Sequence, residues 1–433
     1  MSELLQQVRV IDPISGTDQQ ILDVLIVDGV IASVAEQIFD YPAQTQVRDC
    51  RGLVLGPGLV DLYSHSGEPG FEERETLASL LAAAAGGGFT KIHILPDTMP
   101  PLDNPAVLAR MQQKGDNSEF RIPNSEFKSS PSPQLYFWGA LTLGVQGQQM
   151  TQLAELAAAG VVGFADGLPL EDVALLRRVL EYLKPINKPV ALWPCNLQLS
   201  GNGVMREGSY SVRLGLPGNP AIAETTALAT ILELISAIGT PVHIMRVSTA
   251  RSVQLIQDAK AQGLPVTAST SWMHLLVDTK ALSKYNTSLR IEPPVGNPED
   301  LAALRQGVRI GILDAIAIDH TAYTYEEKTV AFASAPPGAI GLELALPLLW
   351  QNLVETGEWL ALELWRALST RPAQCLQHTP AAIATGRPAE LTLFAPQESW
   401  SVNSQTLKSN STNTPWLGQQ LSGRVVKTWI GEN

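Results

Sequence analysis

Between residues 56 and 379 the chain repeats one unit, a short apolar run followed by a stretch of helical periodicity. Three of the apolar runs open on Pro-Val: Pro189-Val190 before VALW, Pro241-Val242 before VHIMRV and Pro265-Val266 before VTAS. Proline at the first position of a strand gives up no ladder hydrogen bond, so the pattern marks strand starts. The stretch Glu171 to Leu183 places Val173, Leu175, Leu176, Val179, Leu180 and Leu183 on one helical stripe. Ala250 to Gln262 has helix length and ends near Gly263, and Asn297-Pro298-Glu299 is a helix start leading to the strand DAIAI at Asp314 to Ile318. Strand–helix alternation over about 300 residues predicts a parallel sheet with helices outside. At that length a closed TIM-type (β/α)8 barrel is the favoured solution. An open doubly wound sheet is the alternative, but no Gly-rich phosphate loop follows the first strand.

The two ends read differently. VRVID, ILDVLIVDG and VIASVAEQI, within residues 5–35, are strands punctuated by Pro13, Gly16 and Gly29. Strand patterns return after about residue 385 as AELTLFA, SWSV and GRVVKTWIG. Residues 1–55 and 380–433 are therefore expected to form one small composite β-sandwich flanking a barrel of residues 56–379. Two polar stretches, Gly115 to Pro133 and Ser401 to Pro415, read as surface loops.

Composition narrows the function. A formal net charge of −12 argues against binding nucleic acid or an anionic membrane. Charged residues are only 17% of the 433, which points toward self-association or a partner. Cys50, Cys195 and Cys375 are far apart and lack C-x-x-C spacing, so neither a disulfide framework nor a zinc knuckle is expected. The start MSELLQQVRVID has no basic segment followed by a long apolar run, and no stretch reads as the roughly 18 apolar residues of a membrane span. The cytoplasm is the default compartment.

In a barrel, side chains at the C-terminal ends of the strands converge on the functional face. The residues expected there are Asp61, Tyr63 and His65 in DLYSH, then Asp97 after IHILP and Asp166 in GFADG. They continue with Trp193 and Asn196 after VALW, Arg246 after VHIM, His274 in SWMH, and Asp319-His320 after DAIAI. A buried strand-end Asp needs a cation or a proton. Arg246 is the obvious cation, with a fixed charge and five donors, and is expected to pair with Asp166, Asp319 or both. His93 and His243, alone in apolar strands, read as hydrogen-bonded core residues. Trp193 reads as a filler of space ahead of a stacking platform, and Asp61 as a strand-end cap or supporting residue.

These segments resemble the dihydroorotase family, in the cyclic amidohydrolase branch that includes allantoinase and hydantoinase. GPGLVDLYSH with EPGFE at 56–72, AAAAGGGFTKIHILPDTMPPLDNP at 82–105 and GVMREGSYSVRLGLPGNPA at 203–221 carry the resemblance. So do VHIMRVSTARSVQLIQDAKAQGLPVTA at 242–268, IAIDH at 316–320, APPGAIGLELALPLL at 335–349 and NTPWLGQQLSGRVVKTWIG at 413–431. The resemblance implies a TIM barrel with a composite β-sandwich, one or two zinc ions, and interconversion of carbamoyl-aspartate and dihydroorotate.

Carried over residue by residue, it implies a damaged site. Tyr63 stands for the first histidine of a His-x-His pair whose second member is His65. Asp166 falls near the bridging acid, Trp193 and Arg246 replace histidines, and Asp319, the residue that would act as base, is retained. Substrate contacts change too: Gly67 stands for an arginine before Glu-Pro-Gly, Asp97 and Glu292 for asparagines, and Gly296 for a later arginine. No metal is expected. If one binds, His65, Asp166 and Asp319 are the remaining ligands, a set suited to loosely held magnesium or manganese rather than two zincs. The resemblance therefore implies a catalytically inactive homologue, and inactive members of the family assemble with aspartate transcarbamoylase. The alternatives are an active cyclic amidase of altered specificity, with zinc as cofactor, and a regulatory module that binds a pyrimidine metabolite.

Overall fold

The computed structural model describes residues 2–116 and 132–431. Eight short parallel strands form the centre. Leu59–Val60, Phe89–Ile94, Gln134–Gly139 and Gly163–Phe164 hydrogen-bond in that order, as do Ala191–Leu192, Val242–Ile244, Val266–Ser271 and Ala315–Ala317. A parallel bridge from Phe164 to Val190 joins the two arcs. The ring closes where Asp319 N donates to Tyr63 O at 3.1 Å and His65 N to His320 O at 2.9 Å. The predicted barrel is thus formed, and its closure brings the DLYSH and IAIDH strand ends side by side.

The helices start and stop where local chemistry dictates. Asp172 caps Val173–Leu183 by accepting from Leu175 N at 2.9 Å, and Thr249 caps Ala250–Ala261 through Ser252 N. Asn297 and Asp300 form the box that opens Pro298–Ile310, which ends on Gly311 at φ 84°. One helix corrects the sequence reading. Ala221–Ile238 is 18 residues long with mean hydropathy 1.6, so a stretch long and apolar enough to cross a membrane does exist. Leu228, Ile231, Leu232 and Ile235 bury one face of it in the main core, beside the helices on either side. Its other face carries threonines and Glu233, and two glutamates, Glu224 and Glu233, interrupt the apolar run in the sequence.

Both chain ends build one seven-stranded sheet. Its order is Gln420–Trp429, Leu391–Ser401, Val54–Pro57, Ser2–Asp12, Thr17–Val27 and Val30–Ala35, with Gln46–Asp49 added beside Ser2–Asp12. The apolar run Leu53–Val60 therefore serves two sheets, with Gly58 at the crossing. A Cβ at Gly58 would lie 2.2 Å from the Thr90 methyl group, so only glycine lets the strands pass.

The polar segment 401–415 is not the surface loop its composition suggested. Ser409, Ser411, Asn413 and Thr414 are buried. Their polar groups satisfy buried partners from the barrel: Ser411 Oγ donates to Tyr323 O at 2.8 Å and Asn413 Nδ2 to Thr321 O at 2.9 Å. Composition cannot distinguish polar groups that face water from those that face buried acceptors. The other polar stretch, Gly115 to Pro133, lies mostly outside the described residues.

Candidate functional site

A cavity of about 200 Å³ opens at the C-terminal ends of the barrel strands. Of the residues expected there, His65, Gly67, Asp97, Trp193, Arg246, His274, Glu292 and Asp319 line it. Arg246 is its centre. Nε donates to Asp319 Oδ2 at 2.8 Å and Nη2 to Asp319 Oδ1 at 2.7 Å, a bidentate pair. Nη1 donates to Gly167 O at 2.7 Å, and Nη2 lies 2.9 Å from His65 Nε2. The guanidinium also stands 4.9 Å from the Trp193 ring, so Trp193 is a platform for the protein's own cation. Arg246 and Asp319 both sit at positive φ, 54° and 53°. Such backbone costs on the order of 1 kcal/mol per residue and persists where the surroundings over-determine it.

The charges in this cluster are coupled. Burial alone would raise the Asp319 carboxyl, but the adjacent guanidinium holds it well below the ordinary carboxylate range. With both oxygens engaged and its proton affinity depressed, Asp319 is a poor base. Burial works against a charged His65, yet the carboxylates of Asp97 and Asp319 outweigh it and lift the imidazole to about 9. His65 Nδ1 lies 2.6 Å from Asp97 Oδ2. A protonated Nε2 and a guanidinium nitrogen cannot remain 2.9 Å apart, because both would present hydrogens. That approach belongs to the neutral imidazole with its proton on Nδ1. For the protonated ring the nearest carboxylate acceptor to Nε2–H is Asp319 Oδ1, 3.5 Å away. Two carboxylates face the ring against one guanidinium.

Four residues expected in the pocket lie behind it. Asp166 accepts from Leu141 N at 2.7 Å, Thr142 N at 3.1 Å and Thr142 Oγ1 at 2.6 Å, so it meets neither Arg246 nor the cavity. Three local donors already satisfy it, and Arg246 reaches only the neighbouring Gly167 carbonyl. Asp61 is buried beneath the strand ends, where Ser64 Oγ at 2.5 Å and Ile318 N at 2.8 Å donate to it, and burial pushes its carboxyl to about 7. Tyr63 is fully buried. Its hydroxyl accepts from Arg246 N at 3.0 Å and pairs with Ser269 Oγ at 3.0 Å, so it fixes the backbone that carries the guanidinium. His320 turns away toward Glu75, with Nε2 3.3 Å from its carboxylate.

His243 and His93 are core residues as read. His243 bonds Thr267 and Ser269, and His93 Nδ1 meets Asp61 O at 2.6 Å. Asn196 caps a short helix through Leu199 N and does not line the cavity.

Sequence reasoning missed Glu75 and Arg74. Both sit in the charge-rich run Glu72 to Glu75, where residue type gives no sign of burial. Glu75 is wholly buried, and Arg74 lines the cavity while gripping Glu327 through Nε at 3.0 Å and Nη2 at 2.6 Å.

The resident metals implied by the resemblance do not fit these residues. A divalent ion held by His65 and Asp319 would face the guanidinium at close range. At ~4 Å and an effective dielectric of about 20 the repulsion is roughly 8 kcal/mol. Among the described residues no group of three or more His, Cys, Asp and Glu side chains is arranged to hold a metal ion. Asp166, the third expected ligand, is committed elsewhere.

An arginine at position 67 does not fit either. A Cβ on Gly67 would lie 2.4 Å from Glu75 O and 2.6 Å from Phe71 O, both backbone atoms. Gly67→Arg is therefore expected to destabilise the fold by about 3 kcal/mol, read as a lower urea midpoint. Unchanged stability would show that this loop yields freely.

Comparison with known proteins agrees with this architecture. A family model described as Dihydro-orotase-like matches residues 52–252. A probable dihydroorotase-like protein of Synechocystis sp. is 46% identical over 437 residues, covering 97% of this chain and 98% of that protein. A dihydroorotase of Syntrophus aciditrophicus is 36% identical over 431 residues, with 99% and 98% covered. Among solved structures, an L-hydantoinase (dihydropyrimidinase) from Arthrobacter aurescens superposes with TM-score 0.82 at 20% identity, covering 98% of this chain and 94% of that one. A D-hydantoinase (dihydropyrimidinase) from Thermus sp. gives 0.80 at 20% identity, with 99% and 94% covered. The hydantoinases share the fold of this chain. The full-length match to the two sequence relatives goes further and establishes that this chain belongs to the dihydroorotase-like family.

Proposed function

We propose that this chain is a catalytically inactive dihydroorotase homologue, a structural subunit that assembles with aspartate transcarbamoylase in the cytoplasm and itself forms oligomers. The observation that carries the reading is the bidentate Arg246–Asp319 pair. By the family resemblance Arg246 stands at a metal-ligand position, and its guanidinium engages both oxygens of Asp319, the residue that would act as base. Tyr63 and Trp193 remove two further nitrogen donors, and both are packed as structural supports for Arg246. Among the described residues all eight barrel strands are formed around them, which fits a role in assembly. The transcarbamoylase assignment rests on the behaviour of inactive members of the family, and the low charged fraction fits a chain that buries surface against others.

The second reading is an active cyclic amidase of altered specificity. The open cavity at the catalytic face of the barrel, with His65 and Asp319 in its wall, favours it. One set of measurements separates the two. The purified chain is expected to hold less than stoichiometric zinc, to show no turnover of dihydroorotate, hydantoin or allantoin, and to co-elute with transcarbamoylase on mixing. Stoichiometric zinc together with turnover would establish the amidase. Separate elution at micromolar concentrations would remove the partner.

A further inference from the structure

The cavity carries an imbalance that its paired residues conceal. Its wall holds three carboxylates, Asp97, Glu292 and Asp319, and two guanidiniums, Arg74 and Arg246. Both guanidiniums are committed. Arg246 is bidentate to Asp319, and Arg74 is bidentate to Glu327 with its guanidinium 4.1 Å from the Phe71 ring and 4.9 Å from that of Tyr323. Asp97 is engaged by His65. Glu292 has no hydrogen bond or ion pair to its carboxylate among the described residues. It is half-buried in the cavity wall, and Arg290, whose charge it feels, makes no ion pair with it. Counting Glu327, which cancels Arg74, the carboxylates outnumber the cations by one when His65 is charged and by two when it is neutral, so the sign does not depend on that group.

A second unused group lies beside it. His274 is 2% exposed and lines the cavity, and neither ring nitrogen makes a hydrogen bond of normal geometry. The carbonyls of Pro293 and Pro294, which follow Glu292, approach the ring. A buried ring nitrogen without a partner is a polar group that a bound donor would satisfy. Burial, then the Arg206 charge, holds it to about 4, so it stays neutral and keeps one acceptor nitrogen.

We propose that this cavity binds a small organic cation rich in N–H donors, a guanidinium or amidinium compound without carboxylates, with Glu292 as counter-ion and His274 as acceptor. A carboxylate ligand finds no uncommitted cation in the wall. Trp193, Trp272 and Met273 supply apolar surface for the ligand's carbon skeleton. At about 200 Å³ the space lies below the ~300 Å³ of drug-sized pockets, which limits the occupant to a small molecule. The inference concerns binding only and is independent of the proposed assembly.

The test is calorimetric titration of the full chain with agmatine and methylguanidine, alongside urea and L-dihydroorotate. Agmatine is expected to bind with Kd below about 1 mM and to raise the melting temperature, while dihydroorotate does neither. Glu292→Gln is expected to weaken agmatine at least about tenfold. This variant should fold normally, because the carboxylate supports nothing else, and its unliganded melting temperature checks that. His274→Leu keeps the charge and is expected to weaken binding less. No heat from either guanidinium probe, tighter binding of dihydroorotate, or agmatine affinity unchanged in Glu292→Gln would each overturn the proposal.

Discussion

Arg246→Ala is expected to lower stability by about 3–5 kcal/mol, the cost of leaving a buried charge without its partner. The side chain is 5% exposed and Asp319 13%. Its removal strands the Asp319 carboxylate, leaves Gly167 O without its donor and takes the cation from between Trp193 and His65. Urea denaturation with linear extrapolation is the measurement. Replacing both members by apolar groups, Arg246→Met with Asp319→Leu, is expected to recover most of the loss, because neither buried charge then remains.

The pH dependence has a definite sign. The folded-state carboxyl of Asp319 lies below its unfolded value of about 3.9. Its contribution is therefore fully present above about pH 4 and is lost as pH falls through the folded value. The gap between the native chain and Arg246→Ala should be constant from pH 5 to 8 and narrow in stronger acid. A gap under about 1 kcal/mol at neutral pH, typical of a solvated surface pair, would mean that the guanidinium does not hold the site together.

The second large effect is expected at Glu75. Its carboxylate receives the hydroxyls of Ser79 and Ser409, Asn410 N at 3.1 Å and the His320 imidazole at 3.3 Å. Burial disfavours its charge, but His320 and these donors together hold the carboxyl below its ordinary range. Glu75→Ala leaves several buried donors unpaired and is expected to cost about 3–5 kcal/mol. The loss should be local as well as global. Residues 408–414 are anchored by Glu75 and Glu343, so amide exchange there should accelerate beyond the change in global stability. Glu75→Gln keeps one acceptor and should fall between. If exchange at 408–414 merely follows global unfolding, Glu75 is not the anchor of that segment.

Much of the site was legible as a set of positions. Period and punctuation put Trp193, Arg246, His274 and Asp319 at strand ends, and all four line the cavity. Residue type alone singled out Arg246 as the cation a buried Asp would require, but the choice between Asp166 and Asp319 was not legible. Three donors at Leu141 and Thr142 claim Asp166, and those donors belong to another strand end. Glu75 was passed over and the 401–415 segment misread for the same reason. A charged or polar residue in a polar run looks solvated until a distant partner buries it. The apolar helix Ala221–Ile238 was missed; two acids, Glu224 and Glu233, interrupt its apolar run without breaking its length.

By itself the sequence determined the alternation of strands and helices, hence the barrel, and which residue types reach its functional face. Those depend on local periodicity and chain stereochemistry, which act over a few residues. Only the tertiary structure decided which charges meet. Hydrogen bonding between groups far apart in sequence, such as Arg246 with Asp319 or Glu75 with Ser409, depends on barrel closure and on the sheet shared by both chain ends. In a buried site the partner, rather than the residue type, sets whether a carboxylate serves as a base, a counter-ion or an anchor.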